Sequence, residues 1–176
     1  ACSIPTSGEY TLPGDCTLTG TINVNGSLTI HGNGHTINAD GNQAFVVGSG
    51  ESLALDNVTV MNGYADWDSG GAIANIGGTL TITNSTFSGN SAGAGGAIYN
   101  TGTATVRRST FYGNSADPTS DAGGGATTVI STEPAEASGQ TSARLSEPDV
   151  GNYLVRLSVE DADGNTVTAD TKVEVN

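Results

Sequence analysis

The sequence predicts an all-β fold: a short, single-stranded parallel β-helix of about four to five coils, followed by a small, incomplete antiparallel sheet that resembles part of a β-sandwich. Three observations lead to this prediction. Blocks of sequence recur every 24 to 27 residues, apolar and polar residues alternate inside each block, and glycine supplies 26 of the 176 residues. Such a chain is poor helix material, and a short repeat of strands can bury its apolar face only by stacking on its neighbours.

The repeats contain two recurrent blocks. Residues 79–90 return 24 residues later as 103–114, and residues 70–75 return 25 residues later as 95–100. Looser copies of the first block begin at Ser27 and Ser52. Because like strands stack in register, the apolar positions predict four inward ladders. These are Leu28, Leu53, Leu80 and Ala104; Ile30, Leu55, Ile82 and Val106; Ile37, Val60, Phe87 and Phe111; and Ile73 with Ile98.

Glycine and asparagine mark the corners between strands. The glycine pairs leave room for a sharp corner and tolerate positive φ. Four asparagines follow strands, where we expect left-handed turn geometry and a structural role: Asn75, Asn90, Asn100 and Asn114.

Charge and hydropathy exclude two classes of partner. With 18 acidic and 5 basic residues the formal net charge is −13, which opposes binding to nucleic acid or to an anionic membrane. The longest apolar run is Ala44-Phe45-Val46-Val47, whereas a membrane-spanning helix needs roughly 20 apolar residues. We therefore expect neither nucleic acid nor membrane insertion.

Two cysteines lie close together near a start that lacks Met, which is typical of a mature, secreted N-terminus. A disulfide between Cys2 and Cys16 would close a loop of about 15 residues and stabilise the fold by roughly 3 kcal/mol. The alternative is two free, small apolar side chains.

The two blocks together carry a family resemblance. Gly70-Gly71-Ala72-Ile73 is followed by Phe87-Ser88-Gly89-Asn90, and Gly95-Gly96-Ala97-Ile98 by Phe111-Tyr112-Gly113-Asn114. This pairing resembles the repeat of polymorphic outer-membrane proteins and, more widely, of right-handed β-helix surface proteins. The resemblance covers roughly residues 17–125 and implies a secreted or cell-surface protein with an adhesive or structural role.

Beyond the β-helix of residues 1–125, residues 126–176 form a second segment. They predict four strands, at 127–131, 141–145, 153–160 and 166–175, with a tight turn at 161–165. The stretch 151–164 resembles the closing strands of PKD-like and immunoglobulin-like modules, with Tyr153 at their corner position. A full module needs about 100 residues, and the segment 126–176 is too short to form one. Three arrangements stay open for its strands: they cap the β-helix, pack on its side, or await a strand from another copy.

Many parallel β-helices are polysaccharide lyases or hydrolases, which is the alternative class for this chain. Lyases need a base beside calcium-binding carboxylates, and hydrolases need paired carboxylates. The outward charged residues on the predicted strands are Asp56, Arg107 and Arg108. They make neither set, so we expect no catalytic residue.

Candidate binding residues lie mainly in the corner loops. Asp66, Asp68, Asp117 and Asp121 fall on one predicted edge, where calcium is the one cofactor we consider, with solvated loops as the alternative. Trp67 is a candidate sugar contact, with packing on the next coil as its alternative. His31 and His35 have no close acidic partner in the sequence and are not expected to bind metal. Sequons make Asn25, Asn57 and Asn84 candidates for glycosylation.

Regular Thr-x-Thr ladders, which would suggest ice binding on a flat face, appear only in fragments, at residues 79–83 and 101–105. We expect half of these threonines to point inward or lie in a turn, so ice binding ranks behind the other functions.

The sequence thus predicts an extracellular, non-catalytic structural or adhesive protein. Its expected partner is itself, through coil ends or C-terminal strands in a filament or surface layer, or else a cell-surface or matrix component. A carbohydrate partner is the alternative. Because the net charge of −13 opposes close packing of copies, assembly should strengthen with salt.

Overall fold

The protein was analysed as a computed structural model. The structure describes residues 2–66 and 70–116 in full, and strands 151–160 and 166–175 by their backbone. The chain forms two compact units, Ala1–Arg144 and Leu145–Asn176. The boundary predicted after residue 125 falls outside the described residues and stays a prediction.

The first unit is a parallel β-solenoid with four coils and three strands of a fifth. The first coil contains β1 (Gly8–Thr11), β2 (Cys16–Thr17) and β3 (Ile22–Asn23). The second contains β4 (Ser27–His31), β5 (Thr36–Asn38) and β6 (Phe45–Val47). The third contains β7 (Ser52–Asp56), β8 (Thr59–Met61), β9 (Tyr64–Ala65) and β10 (Ile73–Asn75). The fourth contains β11 (Thr79–Thr83), β12 (Thr86–Ser88), β13 (Ser91–Ala92) and β14 (Ile98–Asn100). The fifth contains β15 (Thr103–Arg107), β16 (Thr110–Tyr112) and β17 (Ser115–Ala116).

Equivalent strands stack into four parallel sheets that run along the solenoid. The long sheet is β1-β4-β7-β11-β15, and the second sheet is β2-β5-β8-β12-β16. The third sheet is β9-β13-β17, and the fourth is β3-β6-β10-β14. The predicted parallel β-helix is therefore confirmed, with the expected number of coils.

The four predicted ladders are confirmed in register. Leu28 pairs with Leu53, Leu53 with Leu80, and Leu80 with Ala104, and the other ladders follow the same order. Leucine, isoleucine and phenylalanine side chains of the second to fourth coils are almost fully buried along this core. Phe87 and Phe111 stack with ring centroids 4.9 Å apart and an interplanar angle of 6°. The fourth ladder has two further members that we did not predict. Ile22 and Phe45 extend the Ile73–Ile98 ladder toward the N-terminus.

The left-handed corner residues differ from those we predicted. Asn75, Asn90, Asn100 and Asn114 do not take positive φ, so that expectation is wrong. Positive φ occurs instead at the corner between the long and second sheets, in a column formed by Asn57, Asn84 and Arg108. It also occurs at Gly89 and Gly113, each of which directly precedes one of the four asparagines. Because glycine takes the left-handed conformation, the asparagine after it is free to turn its side chain inward.

Close backbone contacts between successive coils require glycine at these corners. A Cβ on Gly71 would lie 2.3 Å from the carbonyl oxygen of Gly96, and one on Gly96 would lie 2.4 Å from the carbonyl oxygen of Ser115. Real Cβ atoms do not approach backbone so closely. The glycine pairs therefore allow successive coils to touch, as the sequence predicts.

The described part of the second unit is an antiparallel hairpin. Strand β18 (Gly151–Glu160) pairs with β19 (Thr166–Val175) along its whole length, from Gly151 opposite Val175 to Glu160 opposite Thr166. This confirms the last two predicted strands. The strands predicted at 127–131 and 141–145 lie outside the described residues, and the resemblance to a PKD-like module stays a prediction.

Candidate functional site

Buried asparagines form two hydrogen-bonded columns that tie the coils together. Asn90 donates from Nδ2 to Asn114 Oδ1 at 2.9 Å and to the Val60 carbonyl at 3.2 Å, and its Oδ1 accepts the Gly63 amide at 2.8 Å. In the second column Asn75 Nδ2 donates to Asn100 Oδ1 at 2.6 Å. At these corners the asparagine side chains, rather than backbone groups, supply the hydrogen-bond partners. Their role is therefore structural, as expected, although they do not adopt the left-handed turn geometry that we predicted.

Residues 2–7 pack against the first coil at the N-terminal end of the solenoid. The disulfide between Cys2 and Cys16 is present, and the Cys2 amide donates to the Thr17 carbonyl at 3.0 Å. Ile4 packs on the core from the same segment, and Leu12 of the first coil is 1% exposed. The segment is thus tied to the first coil, whose strands β1, β2 and β3 each pair on one side only among the described residues.

Both histidines have acidic partners, which corrects the expectation that they lack them. His31 Nε2 lies 2.7 Å from Glu9 Oε1, and His35 Nδ1 lies 3.4 Å from Asp15 Oδ1. Both acids come from the first coil, whose repeat is too loose to align by sequence. Among the described residues no group of three or more His, Cys, Asp and Glu side chains could hold a metal ion.

The outer face of the long sheet is a regular grid of small polar side chains. From β4 onward one column is Ser27, Ser52, Thr79 and Thr103, and the next is Thr29, Ala54, Thr81 and Thr105; in β1 the second column continues with Glu9 beside Thr29. A third column contains His31, Asp56, Thr83 and Arg107. We call the first two columns the hydroxyl grid.

The expectation that half of these threonines point inward is wrong for the strands. Leu80 and Ile82 are buried between Thr79, Thr81 and Thr83, which all lie on the outer face. The Thr-x-Thr alternation was the signal for this face, because a strand sends alternate side chains to opposite sides.

The described part of the solenoid ends at the four strands β14 to β17. Each of β14, β15, β16 and β17 is the last strand of its sheet and pairs on one side only among the described residues. Ala104 and Val106 end two core ladders here and are partly exposed, whereas their counterparts Leu80 and Ile82 are buried. We call these four strands and their apolar side chains the open end.

Other predicted site residues fall partly outside the described residues. Asp66 is exposed and its Oδ1 accepts a hydrogen bond from the Tyr64 hydroxyl at 2.6 Å. Trp67, Asp68, Asp117 and Asp121 are outside the described residues. Strands β9 and β17 stack in register through β13, so the two acidic segments begin at one edge, two coils apart.

All three sequon asparagines are exposed. Asn57 and Asn84 occupy neighbouring coils at the same left-handed corner, where Asn84 Nδ2 donates to Asp56 Oδ1 at 3.1 Å. Glycosylation at Asn25, Asn57 and Asn84 stays a prediction.

The fold and repeats define a parallel β-solenoid built from repeats of 24 to 27 residues. Residues 84–101 match the model of the Chlamydia polymorphic membrane protein repeat. The match contains Phe87, Asn90 and the Gly95-Gly96-Ala97-Ile98 block, and the chain is similar to this family over that repeat. A search of curated proteins and a search of solved structures found no match to this chain. In the described parts of the chain no helix is long and apolar enough to cross a membrane.

Proposed function

We propose that this protein is an extracellular, non-catalytic structural or adhesive protein of the cell surface that self-associates through the open end. The observation that carries the proposal is the contrast between the two ends of the solenoid. At both ends the terminal strands pair on one side only among the described residues, but the N-terminal end carries the packed segment 2–7 and a disulfide, whereas at the other end Ala104 and Val106 are partly exposed. Unpaired strand edges bind other strands readily, so such an edge favours association.

The surface role rests on two supports. The matching repeat belongs to a family described as membrane proteins, and Cys2–Cys16 forms a disulfide, a bond that persists in oxidising compartments outside the cytosol. An epitope tag at the C-terminus and antibody staining of intact, unpermeabilised cells would test the location. Staining that appears only after permeabilisation would contradict it.

The geometry of the ends also bears on the kind of assembly. Two open ends related by a twofold axis give a closed dimer, whereas a filament needs a second, different contact. A filament would use a second surface for that contact, such as the C-terminal strands or the N-terminal end, where residues 2–7 pack on the first coil. We therefore expect dimers first and filaments or layers only if that second contact exists.

The test compares two identical changes at different places. Ala104→Lys places a charge at the open end, and Ala54→Lys places the same charge on the side of the third coil. Sedimentation velocity should show that the native protein associates with rising concentration and salt, that A104K remains monomeric, and that A54K behaves as the native protein. A native protein that is monomeric at every concentration, or equal loss in both variants, would contradict self-association through the open end.

Calcium at the acidic edge is a second proposal, favoured by the register that begins both acidic segments at one edge. Asp66 is the described member of that set, with Asp68, Asp117 and Asp121 as the expected partners. Calorimetric titration with calcium should release or absorb heat in the native protein and less in Asp66→Asn. No heat in the native protein would remove this proposal.

The alternative enzyme class receives no support from the long sheet. On the described strands of this sheet the carboxylates are Glu9 in β1 and Asp56 in β7, which lie two coils apart and in different columns. Glu9 Oε1 contacts His31 Nε2 at 2.7 Å. A glycoside hydrolase needs two carboxylates that flank the scissile bond as a pair, and these two side chains are not neighbours in one column.

A further inference from the structure

The hydroxyl grid is a two-dimensional lattice set by the stacking of the coils. Four strands, β4, β7, β11 and β15, contribute two outward positions each, and seven of these eight positions are serine or threonine. The eighth is Ala54, which lies between Thr29 and Thr81 in its column. Ser52 Oγ donates to Ser27 Oγ at 3.0 Å, so neighbouring coils bring their hydroxyls into direct contact at the start of the grid.

The two spacings of the grid follow from strand geometry. Neighbouring parallel strands lie about 4.8 Å apart, and alternate residues of one strand lie about 6.6 Å apart. Strands β4, β7, β11 and β15 keep one register through all three steps, so their outward positions line up in columns. The grid therefore repeats at about 4.8 Å along the solenoid and about 6.6 Å across it.

Ice repeats at similar distances. A hydrogen bond between waters is about 2.75 Å long, and tetrahedral geometry then puts next-nearest oxygens about 4.5 Å apart. The same geometry gives hexagonal ice an axial repeat of 8/3 of that bond, about 7.3 Å. The mismatch between the strand spacing and the next-nearest oxygen distance of ice adds up to about 0.9 Å over the three steps from β4 to β15. The mismatch between the spacing of alternate residues and the axial repeat of ice is about 0.7 Å. Both values stay well below half an ice repeat, so all eight positions can follow one patch of the lattice.

The chemistry of the grid also fits ordered water better than other partners. Its side chains are neutral, although the chain has a net charge of −13, and five of the eight are threonines. Threonine is stiff at χ1, so little rotamer entropy is lost when its methyl and hydroxyl meet a rigid surface. Protein interfaces are enriched in aromatic residues and arginine, and sugars stack on aromatic rings, but the grid contains none of these side chains.

We propose that the hydroxyl grid binds ice, with the columns that begin at Ser27 and Thr29 as the contact surface. This activity is separate from the self-association proposed above, because it uses the side of the solenoid rather than its open end.

Partition into a slowly growing ice hemisphere tests the proposal with the full chain. The native protein should enter the ice, whereas serum albumin should be excluded. Thr81→Lys and Thr105→Lys, at two places on the grid, should each reduce the fraction in ice to the albumin level. Thr86→Lys is the matched control, since it makes the same change in the same coil as Thr81 but on the second sheet, and it should enter ice as the native protein does.

A gain of function gives the converse test. Ala54→Thr fills the missing grid position and should raise the thermal hysteresis above that of the native protein. Far-ultraviolet circular dichroism and the melting temperature would identify any variant that fails to fold, and the other grid variant would then decide the result.

Three results would overturn the proposal. The native protein could be excluded from ice, T86K could lose incorporation while T81K keeps it, or A54T could lower the hysteresis with its fold intact. Retention on crystalline chitin that T81K abolishes, together with exclusion from ice, would also overturn it and assign the grid to polysaccharide.

Discussion

Asn90 provides a sharp test of how the coils are joined. Its side chain lies fully buried between the third and fifth coils, and Asn90→Ala removes every bond that it makes there. The Gly63 amide loses its acceptor, and the Val60 carbonyl loses a donor. Asn114 Oδ1 also loses one of the two donors that it accepts from Asn90.

The size of the effect follows from these contacts. A buried polar group left without a partner costs about 1 to 3 kcal/mol. The Gly63 amide is such a group, whereas the Val60 carbonyl lies in a paired strand and loses one hydrogen bond of about 1 kcal/mol, so the free energy of unfolding falls by about 3 kcal/mol in N90A. This is a large share of the 5 to 15 kcal/mol that is usual for a folded domain, at about 25 °C.

Urea denaturation followed by circular dichroism would measure the loss. The control is Asn23→Ala, an exposed asparagine on β3, which should change the stability by less than about 0.5 kcal/mol. Asn90→Gly separates the two explanations of this residue. If Asn90 held a left-handed turn, glycine would be tolerated or even stabilising. If its side chain joins the coils, N90G loses at least as much as N90A, and an N90G protein as stable as the native one would refute the ladder.

Other features give three further predictions. Replacing Cys2 and Cys16 together by serine should lower the free energy of unfolding by about 3 kcal/mol. Because coils contact only their neighbours, hydrogen exchange should show the lost protection mainly in β1–β3, and equal loss in every coil would contradict this. Arg108→Asn should raise the stability by about 1 kcal/mol in thermal denaturation, because Arg108 has a φ of 45° that asparagine adopts more easily; an unchanged or lower melting temperature would count against the corner column. Gly71→Ala should destabilise by about 3 kcal/mol or more in urea, since its Cβ would meet backbone, whereas Gly14→Ala, with open space, should be nearly neutral.

The core was predictable from the sequence because its signals are local and repeated. Leu80 and Ile82 alternate with threonine, and an offset of 24 places Ala104 and Val106 directly over them. Register then follows from the repeat length alone. The same alternation places Thr81 and Thr105 outside, although we expected part of this set to point inward.

The features that the sequence did not predict depend on contacts between coils that differ in sequence. Glu9 reaches His31 only because β1 pairs with β4, and the first coil lacks the repeat that would reveal this pairing. The role of Asn90 was missed for a different reason. Asparagine suits both a left-handed turn and a buried amide ladder, and the sequence does not tell which until Gly89 is seen to take the positive φ.

The disulfide in the first coil has a consequence for how the chain folds. In a solenoid each coil needs only its neighbour, so the first coil to form serves as the template for the next. The bond between Cys2 and Cys16 fixes this first template covalently, and the N-terminal part of a chain is synthesised first. We therefore expect folding to proceed in one direction, coil by coil from the disulfide toward the open end, so that each new strand meets an edge already in place.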